Sequence, residues 1–160
     1  MLRKLEEENV ISKCISEKGE FINTVFLREK KDLTPENPKF RMILNIKDLN
    51  KKHGKYMYTK HKMHSLQTCL DLMEKDCWMA SIDLKDAYHT IPMHEQCTKY
   101  LKFKIDDTLY KFQVLPMGFR DSPRLFCKIL KPVLAKLRSK GHTSSVFIDD
   151  FFLMGRKTQL

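Results

Sequence analysis

No apolar stretch in this chain is long enough to span a bilayer, and the opening run Met1-Leu2-Arg3-Lys4-Leu5-Glu6-Glu7-Glu8 lacks the apolar core of a signal peptide. These absences argue against a membrane partner and against export, so an intracellular location, cytoplasmic or nuclear, is expected. The five cysteines, Cys14, Cys69, Cys77, Cys97 and Cys127, include no C-x-x-C pair, which removes the basis for a disulfide framework or a zinc finger. Reduced thiols are expected, and His61 and His64 have no cysteine ligands at finger spacing. Acids are scarce beside bases, 20 Asp and Glu against 30 Lys and Arg, and the formal charge of +10 favours a polyanionic partner, nucleic acid before an acidic membrane. No internal repeat or low-complexity tract divides the 160 residues, which suffice for one domain-sized core.

What the chain does have is concentrated near its carboxyl end. Val146-Phe147-Ile148-Asp149-Asp150-Phe151-Phe152-Leu153-Met154 sets two adjacent carboxylates between apolar runs. The flanks read as two short buried strands, which places the aspartates at the tip of the connecting hairpin. A carboxylate near an apolar sheet is costly unless a cation neutralises it, so the pattern suggests a hard divalent metal such as Mg²⁺. The pair also fits a polar turn, since aspartate is a common turn former, although neither Asp150 nor Phe151 is the glycine a tight two-residue turn prefers.

Upstream, Trp78-Met79-Ala80-Ser81-Ile82-Asp83 reads as a strand ending on an aspartate before a helical start. If it pairs beside the 146–154 hairpin, Asp83 faces Asp149 and Asp150, and the carboxylates can hold two metal ions about 3.5 to 4 Å apart, the arrangement of in-line phosphoryl transfer. Asp83 also fits a plain helix N-cap.

The segments Ser81-Ile82-Asp83-Leu84-Lys85-Asp86-Ala87-Tyr88, Leu115-Pro116-Met117-Gly118-Phe119-Arg120-Asp121-Ser122-Pro123 and Phe147-Ile148-Asp149-Asp150 resemble, in that order, the three central motifs of reverse transcriptases. Val25 to Asp32 and Phe40 to Asn50 extend the resemblance, which looks closest to DIRS-like or gypsy-type retrotransposon enzymes and runs from about Leu5 to Met154. It implies an α+β fold, with fingers over roughly 1–77 and a ferredoxin-like palm over 78–154 that carries an inserted 99–114 hairpin. It also implies that the chain stops soon after Asp150, without a thumb and without the ribonuclease H region that often follows. Loss of the palm's covering helix is expected to leave apolar side chains of the 146–154 hairpin partly uncovered.

The implied activity is RNA-directed DNA synthesis, in which a primer 3′-hydroxyl attacks the α-phosphate of a deoxynucleoside triphosphate on an RNA or DNA template. Asp83, Asp149 and Asp150 are the implied catalytic carboxylates and ligands of two Mg²⁺ ions, with Mn²⁺ as a substitute. Lys30 and Arg41 are implied over the triphosphate, where the planar fork of Arg41 suits phosphate oxygens. Asp86, Ala87, Tyr88, Met117 and Gly118 complete the implied nucleotide site. The Tyr88 ring lies beneath the sugar as a filter against a 2′-hydroxyl, and Gly118 permits close backbone approach. Phe147 stands where many relatives carry tyrosine. With no thumb to align the primer, weak or no polymerase activity is expected of the chain alone. The alternatives are a non-catalytic nucleic-acid-binding module and a decayed retroelement remnant.

Elsewhere, Lys51 to Lys62 carries no acid and interleaves cations with aromatics, which suits a surface that tracks a nucleic-acid backbone. His64 to Met73 reads as a helix with Leu66, Cys69, Leu70 and Met73 on its core face. In the half-exposed hairpin around Asp106-Asp107, Lys102, Lys104 and Lys111 alternate with apolar positions, so this second aspartate pair is expected to be solvated and metal-free. From Ser122, Leu125, Phe126, Ile129, Leu130, Val133, Leu134 and Leu137 recur at helical spacing as a core stripe that Pro132 interrupts.

Overall fold

The computed structural model describes residues 1–29, 40–57, 66–147 and 149–155. In chain order its first elements are α1 (Leu2–Glu7), β1 (Ile11–Lys13), β2 (Ile22–Glu29), β3 (Phe40–Asn45), α2 (Lys47–Met57) and α3 (Leu66–Asp71). There follow β4 (Trp78–Asp83), α4 (Glu95–Thr98), β5 (Lys102–Ile105), β6 (Thr108–Phe112), α5 (Ser122–Ser139), β7 (Thr143–Phe147) and β8 (Asp150–Gly155). Helix and sheet are mixed, as α+β requires. None of the described helices is long and apolar enough to cross a membrane.

The chain forms two compact units. The first, Met1–Tyr58 with Tyr88–Ser122, is built on a five-stranded sheet in the order β1-β6-β5-β2-β3. Among the described pairings of this sheet only β2–β5 is parallel. The 99–114 hairpin, expected as an insertion in the palm, lies in this unit, its β5 paired with β2 and its β6 with β1. Its core gathers Ile11, Leu44, Ile46, Leu101, Phe103 and Phe112, with the Phe103 ring stacked on Tyr110 at 5.5 Å between centroids.

Lys102 departs from the solvated lysine expected of an alternating hairpin, for its side chain is 1% exposed. Its Nζ donates to the Glu17 and Glu20 carboxylates and to the Ile15 carbonyl, each at 2.8 Å, so every ammonium proton has an acceptor. Burial alone would lower the Lys102 pKa, but the hydrogen bonds with Glu17 and Glu20 outweigh it and leave the value raised. On the other side of the pair, the Lys102 ammonium, the Ser16 hydroxyl and the Glu17 amide all donate to Glu20 and hold its carboxyl down to about 2.

The second unit, Thr59–Ala87 with Pro123–Leu160, carries a three-stranded antiparallel sheet in the order β4-β8-β7. Leu130 and Leu134 of α5 pack with Leu84, Val146 and Phe151 to form its core. The helix continues through Pro132, and the expected stripe is only half core, since Ile129 and Val133 are exposed beside the buried Phe126 and Leu134. In α3 Cys69 is buried while Leu70 is exposed, as is Met73 beyond the helix, so the core face is narrower than the expected one. β4, read from sequence as a short strand, lies at one edge of this sheet and is exposed along its whole length. Trp78, Met79 and Ile82 are among its exposed residues, so uncovered apolar surface falls on β4 more than on the β7–β8 hairpin, where Val146, Phe151 and Met154 are buried.

Candidate active site

The pleat of the second unit's sheet decides which side chains meet. In the antiparallel β4–β8 pair, Asp83 stands directly opposite Asp150, and in the β7–β8 pair Phe147 stands opposite Asp150. Asp149 therefore lies in the turn, and Asp150 is the first residue of β8, one position further from the tip than expected. Directly opposed residues point to one face with Cβ atoms about 4.5 to 5.5 Å apart, and like charges so placed repel. The Leu84 amide donates to the Asp149 carbonyl at 3.1 Å, which extends the ladder past Asp83 and holds the turn beside the end of β4. Asp83 is exposed, and Asp149 and Asp150 are half-buried.

The backbone thus places three carboxylate-bearing residues at one end of this sheet, Asp83 opposite Asp150 and Asp149 held beside them through Leu84. Their oxygen donors suit a hard cation, and a cation would relieve the repulsion across the Asp83 and Asp150 pair. No group of three His, Cys, Asp or Glu side chains among the described residues stands close enough to hold a metal ion. Register, and not a closed ligand cage, is what the fold supplies.

Beyond β4 the chain turns at Asp86, which has a φ of 51°. Aspartate tolerates this left-handed conformation better than most residues because its short side chain bonds locally. Ala87 is buried and Tyr88 half-buried in the short 3₁₀ turn Ala87–Thr90.

Arg41, Tyr88, Met117 and Gly118 belong to the first unit, and Asp83, Asp86, Ala87, Asp149 and Asp150 to the second. Lys30 lies outside the described residues. Arg41 is exposed on β3. Gly118 has a φ of 88°, and a Cβ added there would meet nothing within 4 Å. The left-handed backbone favours glycine at this position.

Asn50 of α2 was given no role by sequence. Its Nδ2 donates to the Gly118 carbonyl at 2.8 Å, and its Oδ1 accepts from the Arg120 amide at 2.9 Å. One carboxamide thereby fixes both sides of the 118–120 turn. Asparagine is a mediocre helix former, so its presence inside α2 is the only local hint that its side chain is used elsewhere. Phe26, Ile43, Asn45, Asn50, Gly118 and Arg120 line an open groove on this unit.

Residues 28–159 match the family model of reverse transcriptase, described as RNA-dependent DNA polymerase. The chain is 26% identical over 118 residues to the putative enzymatic polyprotein of Cassava vein mosaic virus, covering 74% of this chain and 17% of that protein. It is 27% identical over 117 residues to the retrovirus-related Pol polyprotein from transposon gypsy of Drosophila melanogaster, covering 73% of this chain and 11% of that protein. Among solved structures, a foamy viral protease-reverse transcriptase in complex with double-stranded DNA superposes with a TM-score of 0.74 at 21% identity, over 96% of this chain and 24% of that one. The native Prototype Foamy Virus protease-reverse transcriptase gives 0.75 at 20% identity, over 98% and 19%. The chain spans less than a quarter of the length of each of these relatives.

Proposed function

Because this chain belongs to the reverse transcriptase family of RNA-dependent DNA polymerases, we propose that it supplies the metal-binding and nucleotide-binding residues for DNA synthesis within a retroelement polyprotein. The reaction is attack of a primer 3′-hydroxyl on the α-phosphate of a deoxynucleoside triphosphate, with release of pyrophosphate. The observation that carries this reading is the register of Asp83 opposite Asp150, with Asp149 tied to Leu84. Asp83, Asp149 and Asp150 would hold two Mg²⁺ ions, or Mn²⁺ in their place, which when bound lower the pKa of an attacking hydroxyl and neutralise charge on the leaving oxygens.

The protein's own groups bind and orient. Arg41, with Lys30, takes the triphosphate oxygens. Asp86 and Ala87 set Tyr88 as the flat surface that excludes a 2′-hydroxyl. Asn50 holds the Met117–Gly118 turn at a constant height for the nucleotide and template, making it a positioning residue. Template and primer are the partners, and the basic balance of the chain favours them.

The test is Mg²⁺-dependent primer extension by the polyprotein-length enzyme carrying Asp83→Asn or Asp149→Asn. Loss in both, with the fold retained, is the expected result, and retained extension in both would remove the assignment. A second reading, a module that binds nucleic acid without metal, draws support from the absence of a closed three-ligand group among the described residues. It requires RNA binding that neither Mg²⁺ nor the Asp→Asn changes alter.

A further inference from the structure

The outer face of the β2–β3 hairpin carries three cross-strand pairs in succession: Thr24 with Asn45, Phe26 with Ile43, and Arg28 with Arg41. The first pair touches, since Asn45 Nδ2 donates to Thr24 Oγ1 at 3.1 Å. Two steps on, Phe26 and Ile43 border the groove that also contains Gly118. Two steps further, two arginines stand directly opposite each other, both exposed.

Like charges at directly opposed positions destabilise a sheet. The neighbouring acid, Glu29, cannot compensate, because adjacent strand residues point to opposite faces and Glu29 pairs with Phe40. Neither arginine forms an ion pair with another described residue, whereas Lys4 with Glu8, Lys51 with Asp48, Lys102 with Glu17 and Glu20, and Lys104 with Asp107 all do. Two guanidinium forks with Cβ atoms about 5 Å apart therefore share one face without a counter-charge among these residues. A ligand whose negative charge is packed into a few atoms, each able to accept from a fork, would offset that repulsion.

We propose that Arg28 is a second triphosphate-binding arginine, acting with Arg41 as a two-fork clasp whose nucleoside lies along the Phe26 and Ile43 step toward Gly118. The proposal deepens the polymerase reading and rests on it, while assigning a role to Arg28 that the motif comparison does not. A triphosphate fits better than a strand's phosphodiesters because its charge is concentrated at one end of an otherwise neutral groove partner.

The test reads binding, so it is separable from catalysis. Titrating dTTP into the 160-residue chain, Arg28→Gln should raise Kd by about fivefold, and Arg28→Lys should recover only part of the loss, since a point charge lacks the fork. Affinity for a fluorescein-labelled single-stranded RNA should change by less than about twofold, and the unliganded melting temperature of Arg28→Gln should stay level or rise as the repulsion is relieved. A purely structural arginine would instead lower the melting temperature. Unchanged dTTP affinity, or no dTTP binding by the unsubstituted chain, would overturn the proposal. So would a loss confined to RNA, which would give the pair to the strand's phosphates. Failure of the polymerase reading shows elsewhere, as extension that survives Asp149→Asn.

Discussion

Two hairpins in this molecule carry an Asp-Asp dipeptide, and one residue of register separates their chemistry. In β5–β6, Ile105 pairs with Thr108, so Asp106 and Asp107 are both in the turn. Asp106 there adopts a φ of 50°, and the fully solvated Asp107 meets Lys104 at 3.2 Å. In β7–β8 the pairing of Phe147 with Asp150 puts only Asp149 in the turn and carries Asp150 into the strand, opposite Asp83. Composition is the same; what differs is whether a third strand presents an acid to the second aspartate. An exposed turn pair needs no cation, whereas two opposed carboxylates on one sheet face invite one.

The largest expected effect exploits that contrast. In the polyprotein-length enzyme, Asp83→Asn or Asp150→Asn should lower Mg²⁺-dependent extension by about 10²-fold or more, as loss of a group that stabilises transition-state charge does. Asp106→Asn and Asp107→Asn should leave it within about twofold. Equal losses in the two hairpins, read by single-turnover extension, would erase the distinction.

Next comes selectivity. Tyr88→Val should improve use of ribonucleotides on the order of tenfold relative to deoxynucleotides, with Tyr88→Phe unchanged, because the ring and not the hydroxyl supplies the clash. Competition assays with paired nucleotides measure this directly, and unchanged discrimination in the valine enzyme would take Tyr88 out of the site.

A third contrast sets the solvated Lys104 and Asp107 pair against the buried Lys102 cluster. Lys102→Met should lower the melting temperature by roughly 5 °C or more, while Lys104→Met should hardly move it. The Glu20 carboxyl is depressed, so its stabilising contribution is complete above its ordinary value of 4.5 and is lost as pH falls toward about 2. Lys102 is raised, so its share is lost only as pH climbs through its folded value, above the ordinary 10.5. Acid melts should therefore steepen below pH 4.5 in the unsubstituted chain and flatten there in Glu20→Gln. Parallel curves would show that the cluster does not set acid stability.

The smallest effect concerns the Asn50 turn. Asn50→Ala should raise the nucleotide KM severalfold with a smaller change in kcat, and Gly118→Ala should cost about 1 to 2 kcal/mol through its left-handed backbone alone. A Gly118→Ala enzyme of unchanged stability would contradict the conformational argument.

Much of this was legible in the sequence where the signal is local. Alternating apolar residues marked β5 and β6, continuous apolar runs marked β7 and β8, and the flanks told one aspartate pair from the other. What could not be read depended on partners distant in the chain. Lys102 looked solvated because its strand alternates, and the acids that bury it, Glu17 and Glu20, lie near the amino terminus. The turn of β7–β8 was misplaced by one residue because apolar flanks fix the existence of a hairpin but not its register. Asn50 escaped notice because its two bonds reach a loop some seventy residues away. The left-handed backbone of Gly118 also went unread, since backbone angle is invisible in composition.

The central claim, that register makes Asp83, Asp149 and Asp150 a divalent-cation site, is tested most directly by titrating Mn²⁺ into the isotopically labelled chain and following paramagnetic broadening of amide resonances. Selective broadening at Leu84, Asp149 and Asp150, abolished by Asp83→Asn and absent at Asp106 and Asp107, is the predicted result. Broadening that is equal at both hairpins, or that survives Asp83→Asn, would contradict it.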